Sequence, residues 1–554
     1  MKRVQRASFV AAGAALLLGI PALASAAVGQ TAAGSQPAAA LAASGSSRAV
    51  AVGSGGAVAS MDATATQAGI DVLSRGGNAI DAAVATESAL GVTIPFVAGP
   101  GGGGFMVIYL AKTHQVITID GRENCPAACT TSMFIDPTTG QPLGYDYASD
   151  QPLATGVPSM VATWAKAVSL YGRESLAADL RPAIDVADGP LGQAIVAADD
   201  HPVLAPGQTT VALPGIMTTK DLRAYQATVL PPTHVNYRGL DIYSMAPPSS
   251  SGTTVGEALN ILSGYNLAAE PRATALFHYL EASRLSYADR NAYVGDPRYV
   301  SVPTSGLLNP AFAATRRCLI GDQALTSPAA PGNPVPPYGS CPTGQAQAQP
   351  AEGGHTNNIV TADKWGDIVA YTNTINFFGG SGEVVPGYGF LLNNEMTDFD
   401  FAPSSPGAYD PNLPAGGKQP RSSMGPVIAL DHGSPVFTVG AAGGSTIIET
   451  ILQIIVNHVD FGMSLPGALA APRVAQTNSA TSLAEPDFYD STLAQQLTSE
   501  YGEKFSLATG PILPLDSYPG DATALQVLGP DRYEPVAEPV RLGGGSAMVV
   551  RPSS

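Results

Sequence analysis

The sequence is poor in charged residues and carries no metal-binding motif, and each shortage excludes a class of protein. Charged residues make up 13% of the chain and hydrophobic residues 45%, so the chain is able to bury a large core and is not intrinsically disordered. The seven histidines form no His-Glu-x-x-His motif and no cluster with cysteine, so a zinc site is unsupported. No Gly-x-Ser-x-Gly motif is present, which disfavours a serine hydrolase.

Positive charge is also scarce. The chain has 27 Lys and Arg residues against 44 Asp and Glu residues, which gives a formal net charge of −17. Such an acidic surface repels phosphate groups, so nucleic acid and anionic membranes are disfavoured as partners. The length of 554 residues predicts one large composite domain or two to three domains.

Long apolar runs are confined to the N-terminus. A short basic segment opens the chain, an apolar run covers Phe9–Leu23, and Ala24-Ser25-Ala26 fits a cleavage signal. This order predicts a signal peptide over residues 1–26 and a secreted, periplasmic or cell-wall location. A membrane anchor is the alternative, but the run is short for a spanning helix. The Ala-, Gly- and Ser-rich residues 27–48 predict a flexible leader, and no membrane span is expected after signal removal.

The four cysteines stand in two local pairs, Cys125 with Cys129 and Cys318 with Cys341. An even number of cysteines in an exported chain predicts two disulfides.

The apolar spacing predicts an α+β fold, with locally paired strands and helices packed outside them. Residues 105–110 and 116–120 are typical of a β-hairpin, and residues 156–296 are predicted to be mostly helical. A Pro- and Gly-rich linker covers residues 326–355 and is followed at once by strands over 356–362 and 368–375. Further on, a strand at 436–439, a glycine turn and a helix over 446–459 are expected.

The boundary between linker and strand gives Thr356 an unusual setting. If the bond between His355 and Thr356 is cut, Thr356 has a free α-amine beside its hydroxyl. Such an amine has a pKa of roughly 8 and can act as a base near neutral pH. A threonine with its own N-terminal amine is a known nucleophile and base arrangement that needs no histidine.

The blocks around this position, taken in order, resemble those of the γ-glutamyltranspeptidase family. The resemblance covers roughly residues 50–475, with a weaker match at Gly543–Ser546. The matching blocks are Leu73–Val84, Gly101–Phe105, Asp120–Glu123, Tyr237–Gly239, Pro247–Gly252, Tyr287–Arg290, Thr356–Asn376, Leu391–Met396, Ser422–Met424 and Gly443–Ser445.

This resemblance implies an N-terminal-nucleophile (Ntn) hydrolase fold, which is a four-layer αββα sandwich. It also implies self-cleavage into a large subunit of residues 49–355 and a small catalytic subunit of residues 356–554, which stay together as one folded unit.

The resemblance also assigns the catalytic roles. Thr356 matches the nucleophile, and Thr374 matches the threonine that contacts the nucleophile and helps the self-cleavage. Gly443 and Gly444 match the pair whose backbone N–H groups stabilise the oxyanion. From the residues alone, the two glycines could instead form a strand-to-helix turn or a phosphate cradle, but no Lys-Ser/Thr follows, which excludes a P-loop.

By the same resemblance, Arg122 binds the α-carboxylate of the substrate together with Ser422 and Ser423. A guanidinium group suits a carboxylate because its N–H groups form a planar fork. From the residues alone, a surface ion pair between Arg122 and Glu123 is the alternative.

Asn376, Glu395 and Asp398 match residues that hold the α-ammonium group, although ordinary turn polarity would explain them too. The sequence departs from the family at Asn357 and Asn358, where Thr-His is usual, and this puts the rate of processing in doubt.

The function implied is transfer of a γ-glutamyl group, from glutathione or a similar compound, through a Thr356 ester to water or to an amino acid or peptide. The reaction requires no cofactor and no metal. A glutaryl- or cephalosporin-type acylase of the same fold is one alternative, and a non-catalytic secreted binding protein is another.

Overall fold

The computed structural model describes residues 48–183, 215–325, 328–339, 354–385, 388–508, 520–541 and 544–553. The predicted signal peptide, the leader, most of the linker and Cys341 lie outside these residues. The α-helices are α1 (Ala63–Arg75), α2 (Ala79–Thr93), α3 (Tyr145–Ser149), α4 (Met160–Tyr171), α5 (Leu176–Asp179), α6 (Thr219–Ala224), α7 (Ser251–Leu262), α8 (Arg272–Tyr293), α9 (Thr304–Leu307), α10 (Pro310–Arg317), α11 (Thr446–Val459), α12 (Leu465–Ala470), α13 (Pro486–Tyr489) and α14 (Thr492–Tyr501).

Two 3₁₀ turns, Pro152–Ala154 and Glu395–Asp398, add to the helices of the described residues. The strands are β1 (Gly53–Ser60), β2 (Gly103–Leu110), β3 (Gln115–Gly121), β4 (Thr228–Leu230), β5 (Thr233–Tyr237), β6 (Leu240–Ser244), β7 (Asn357–Asp363), β8 (Ile368–Thr374), β9 (Val427–Asp431), β10 (Ser434–Ala441), β11 (Val474–Ala475), β12 (Ser482–Ala484), β13 (Phe505–Leu507), β14 (Ala522–Gly529), β15 (Arg532–Val536) and β16 (Ser546–Pro552).

The main sheet is built so that strands from distant parts of the chain lie side by side. Among the described residues its order is β4-β3-β2-β8-β7-β1-β15-β14-β10-β9-β6-β5, and β16 also pairs with β1. Strands β7 and β8 pack face to face against β10 and β14. The sheet therefore forms two stacked layers around an apolar interior.

Helices cover both outer faces of these layers. Helices α2 and α4 pack on β2, β7 and β8, with Ile80 and Val84 against Ile359 and Val369. Helices α7 and α11 cover β5, β6 and β10 on the other side, and α8 packs on α7. The arrangement is the predicted four-layer αββα sandwich, and the prediction of fold class is confirmed.

Strand β7, which begins one residue after Thr356, is held on both sides and at its far end. It pairs antiparallel with β1 and with β8. At its end, Asp363 accepts a hydrogen bond from the backbone N–H of Ala79 at 3.0 Å, in the first turn of α2. A chain cut before Thr356 would keep both pieces in one sheet, because β7 lies between strands from the first piece and its own neighbour β8.

Several local predictions are confirmed, and one is incomplete. The hairpin appears as β2 and β3, and α11 has the predicted bounds. Among the described residues of the region 156–296, helices predominate over strands as predicted, but β4, β5 and β6 also lie there. In β5 buried residues alternate with exposed His234 and Asn236, which is the period of a half-buried strand that the sequence reading missed.

One of the two predicted disulfides is present, between Cys125 and Cys129. The other predicted pair includes Cys341, outside the described residues. Among the described residues, no helix combines the length and the apolar character that a membrane crossing requires.

Burial predicts which leucines stabilise this fold. Leu452 in α11 is fully buried, whereas Leu170 in α4 is 49% exposed. Leu452→Ala should lower the free energy of unfolding by about 2–5 kcal/mol, because it leaves a cavity in the core. Leu170→Ala should change it by less than about 0.5 kcal/mol. Denaturant unfolding of both variants measures the difference, and equal losses would contradict the packing of α11.

Candidate active site

The predicted site residues, Gly443 excepted, converge on one small cavity. Its volume is about 10 Å³, which is room for about one water molecule. The side chains of Met424 and Ile447 also line it, and sequence reasoning missed them because apolar residues carry no chemical signal. The lining residues are Arg122, Thr356, Thr374, Asn376, Glu395, Asp398, Ser422, Ser423, Met424, Gly444 and Ile447.

The peptide bond between His355 and Thr356 is held in place from one side. Thr374, the last residue of β8, donates a hydrogen bond from its hydroxyl to the carbonyl oxygen of His355 at 2.5 Å. The same hydroxyl accepts a bond from the backbone N–H of Asn376 at 2.7 Å. In turn, the N–H of His355 donates to the carbonyl of Asn376 at 2.6 Å. This carbonyl is therefore fixed and polarised by a hydroxyl donor.

Gly443 and Gly444 form the turn between β10 and α11. Their φ angles are 121° and 57°, which favour glycine, and a Cβ on Gly443 would lie 2.8 Å from the Cα of Gly520. Within the described residues, neither backbone N–H donates a hydrogen bond. Both donors precede a 14-residue helix, whose positive N-terminal end favours negative charge.

Arg122 lies at the centre of a buried charge cluster. Its side chain is fully buried, so the predicted alternative of a surface location is wrong, although Arg122 does pair with Glu123 at 3.9 Å. It pairs with Glu395, and its Nη2 lies 2.5 Å from Oδ2 of Asp398. Burial opposes the charge of Arg122, but the surrounding carboxylates Glu395, Asp398 and Glu123 raise its pKa, so the guanidinium stays charged.

Glu123 is a member of this cluster to which the sequence assigned no site role. It is fully buried, and neither carboxyl oxygen makes a hydrogen bond within the described residues. Burial first, and then the nearby Glu395, raise the pKa of Glu123 well above its usual range. Burial also raises the pKa of Glu395, and Arg122 offsets part of that rise. Burial thus favours the neutral form of Glu123, and Arg122, 3.9 Å away, opposes this effect.

Asn376 connects the strand end to the carboxylates. It has a positive φ of 75°, and its Nδ2 donates to Oδ1 of Asp398 at 3.1 Å. Because Asp398 also contacts Arg122, the amide and the guanidinium fix this carboxylate in one orientation.

The serine pair is held by a turn from an earlier part of the chain. The N–H of Ser422 donates to the carbonyl of Pro248 at 3.1 Å, and the N–H of Ser250 donates to the carbonyl of Ser422 at 2.7 Å. Arg290 donates to Oγ of Ser423 at 2.9 Å and to Oγ of Ser250 at 2.8 Å.

Arg290 belongs to helix α8, which also contacts the glycine turn. Tyr287, one turn before Arg290, donates its hydroxyl proton to the carbonyl of Ser445. The helix thus connects the serine pair with the turn that carries Gly443 and Gly444. The sequence marked Tyr287–Arg290 as a matching block but gave it no role.

Comparison with known proteins shows which chains this protein resembles. The family model described as Gamma-glutamyltranspeptidase matches residues 65–191 and 188–548. The "Glutathione hydrolase proenzyme" of Bacillus subtilis (strain 168) is 36% identical over an alignment of 519 residues that covers 83% of this chain and 86% of that protein. The "Acylase ACY 1 proenzyme" of Pseudomonas sp. (strain V22) is 31% identical over 76% of this chain and 83% of that protein. The crystal structure of cephalosporin acylase from Bacillus halodurans superposes with a TM-score of 0.73 at 26% identity, over 91% of this chain and 97% of that one. From these matches, the chain belongs to the gamma-glutamyltranspeptidase family.

Proposed function

We propose that this protein is an exported, self-processing γ-glutamyltranspeptidase and glutathione hydrolase with Thr356 as its nucleophile. The observation that carries the proposal is the hydrogen bond from Thr374 to the carbonyl of His355, beside the unbonded amides of Gly443 and Gly444. The Thr374 hydroxyl donates to the peptide bond that is cut in the precursor. The backbone N–H groups of Gly443 and Gly444 remain available to bind a substrate.

The first reaction is self-cleavage. The hydroxyl oxygen of Thr356 attacks the carbonyl carbon of His355, while Thr374 stabilises the charge that develops on the carbonyl oxygen. The C–N bond breaks, the nitrogen takes up the hydroxyl proton, and an ester joins His355 to Thr356. Water hydrolyses this ester, which gives the subunits 49–355 and 356–554.

The second reaction uses the new N-terminus. The free amine of Thr356 takes the proton of the Thr356 hydroxyl, whose oxygen attacks the γ-carbonyl carbon of the substrate. The N–H groups of Gly443 and Gly444 stabilise the oxyanion, and the leaving amine takes the proton. Water or the amino group of an acceptor amino acid or peptide then cleaves the γ-glutamyl ester.

The charge cluster suits the zwitterionic head of a glutamyl group. In the structure, Arg122 is neutralised by Glu395 and Asp398. A bound substrate would replace these ion pairs. Its α-carboxylate would bind Arg122 and the serine pair, and its α-ammonium would bind Glu395 and Asp398. A glutaryl group lacks the ammonium and would leave both buried carboxylates facing it, at a cost.

The likeness to two acylases makes glutaryl or cephalosporin side-chain hydrolysis the second candidate. The two candidates differ in whether the substrate presents a positive charge to Asp398.

Asp398→Asn tests this difference. The variant should raise KM for γ-glutamyl-p-nitroanilide by about tenfold or more, because a charge-assisted hydrogen bond contributes about 1.5–3 kcal/mol. Its effect on glutaryl-p-nitroanilide should be small. Asp460→Asn is the control, since Asp460 pairs with Arg238 outside the site cavity. A wild-type enzyme that prefers the glutaryl compound would favour the acylase instead.

Variants of the two threonines test the processing step. Thr356→Ala should stay one chain and release no p-nitroaniline, whereas Thr356→Ser keeps a hydroxyl and should still process. Thr374→Ala should slow processing by about tenfold or more, because it removes the donor to the His355 carbonyl, and Thr374→Ser should restore it. Gel electrophoresis over time measures the rate. An active, unprocessed Thr356→Ala chain would overturn the proposal.

A further inference from the structure

Asn358 occupies a position where the family usually has histidine, and the structure places it between the two strand layers. Buried inner residues of β7 alternate with outer ones: Val360 and Ala362 face the inner core, and Ile359 faces the α2 layer. By this alternation Asn358 and Thr356 share the inner face. Asn358 is 2% exposed, so its amide has to find its partners inside the protein.

Both ends of the Asn358 amide are bonded to other strands. Its Oδ1 accepts a hydrogen bond from Thr372 of β8 at 2.7 Å. Its Nδ2 donates to Oγ1 of Thr523 in β14 at 2.6 Å, and the Thr523 hydroxyl donates back to the carbonyl of Asn358 at 3.1 Å. One side chain therefore ties the nucleophile strand to both layers.

The same amide touches the strand that leads to the glycine turn. Gly440 of β10 pairs with Thr523, and a Cβ on Gly440 would lie 2.1 Å from Oδ1 of Asn358. Only glycine leaves room for the amide there. Gly440 is three residues before Gly443, so Asn358 is in contact with the strand end that carries the oxyanion donors.

We infer that Asn358 is a positioning residue that sets the spacing between Thr356 and the amides of Gly443 and Gly444. This inference depends on the proposed function, because it assigns roles to those three residues. An oxyanion donor acts only when it lies about 2.7–3.1 Å from the oxygen, and a misplacement of about 1 Å can cost roughly 100-fold in rate. The groups proposed to hold the substrate head, such as Arg122 and Asp398, lie on other segments, and the side-chain hydrogen bonds of Asn358 within the described part of the chain go to Thr372 and Thr523.

Asn357 offers a matched control on the opposite face of β7. It is also buried, and its Nδ2 donates to Oδ1 of Asn373 of β8 at 2.6 Å. Asn357 thus makes a cross-strand amide bond of the same kind, but it faces the α2 layer and not β10. Variants of both asparagines should lower the stability of the strand. Only variants of Asn358 should also change the distance between Thr356 and the amides of Gly443 and Gly444.

The test compares Asn358→Ala with Asn357→Ala in the full chain, with kcat and KM for γ-glutamyl-p-nitroanilide measured per mole of processed enzyme. Asn358→Ala should lower kcat by about tenfold or more and leave KM within about twofold. Asn357→Ala should lower the melting temperature but leave kcat within about threefold. Equal kcat losses in the two variants, or a loss in KM alone for Asn358→Ala, would overturn the inference.

Thr523 provides a second pair of variants in case Asn358→Ala does not fold. Thr523→Val removes the hydroxyl that Asn358 contacts at nearly constant volume and should lower kcat, whereas Thr523→Ser should restore it. Unchanged kcat in a folded Thr523→Val enzyme would contradict the inference. A wild-type chain that releases no p-nitroaniline would instead refute the proposed function, so the two failures are distinguishable.

Discussion

The antiparallel pairing of β7 with β1 on one side and β8 on the other is the constraint on which the site depends. It places Thr356 one residue before a strand that pairs with β8 over 357–362 and with β1 over 360–363, and it brings Thr374 at the end of β8 within hydrogen-bond distance of the His355 carbonyl. Since antiparallel neighbours run in opposite directions, the first residue of one strand meets the last residue of the next. The proposed self-cleavage geometry is thus a consequence of strand register.

A second constraint is electrostatic. Four ionisable side chains are buried together, and the desolvation of each one is unfavourable unless a partner compensates for it. Arg122 compensates in part for Glu395 and Asp398, and burial raises the pKa of Glu123. One guanidinium faces two carboxylates, so the ion-paired cluster has an excess of negative charge, and a zwitterion leaves that excess unchanged because it brings one charge of each sign. A substrate head with a single negative charge would add to it.

Much of this architecture was predictable from the sequence, for identifiable reasons. Helix α11 and the β2–β3 hairpin have clear apolar periods and turn residues at their ends, and both appear as predicted. The site residues were identified by ordered resemblance, and all of them except Gly443 line one cavity. Their roles in catalysis stay predictions.

The parts that sequence reasoning missed depend on long-range contacts. Arg290 holds Ser423 across 133 positions of the chain, a separation that no local pattern reveals. In the sequence, Asn358 stood out only as a departure from the histidine that is usual at this position. In the structure, Thr372, Thr523 and Gly440 surround its amide. Strands β4 to β6 were missed because they are short and lie between helices.

Intact mass and N-terminal sequencing of the purified protein, produced without residues 1–26 and then incubated, test the central claim most directly. We predict two chains, the smaller of which begins Thr-Asn-Asn-Ile at Thr356. One persistent chain, or a cut at any other bond, would contradict the assignment of Thr356 as a self-generated N-terminal nucleophile.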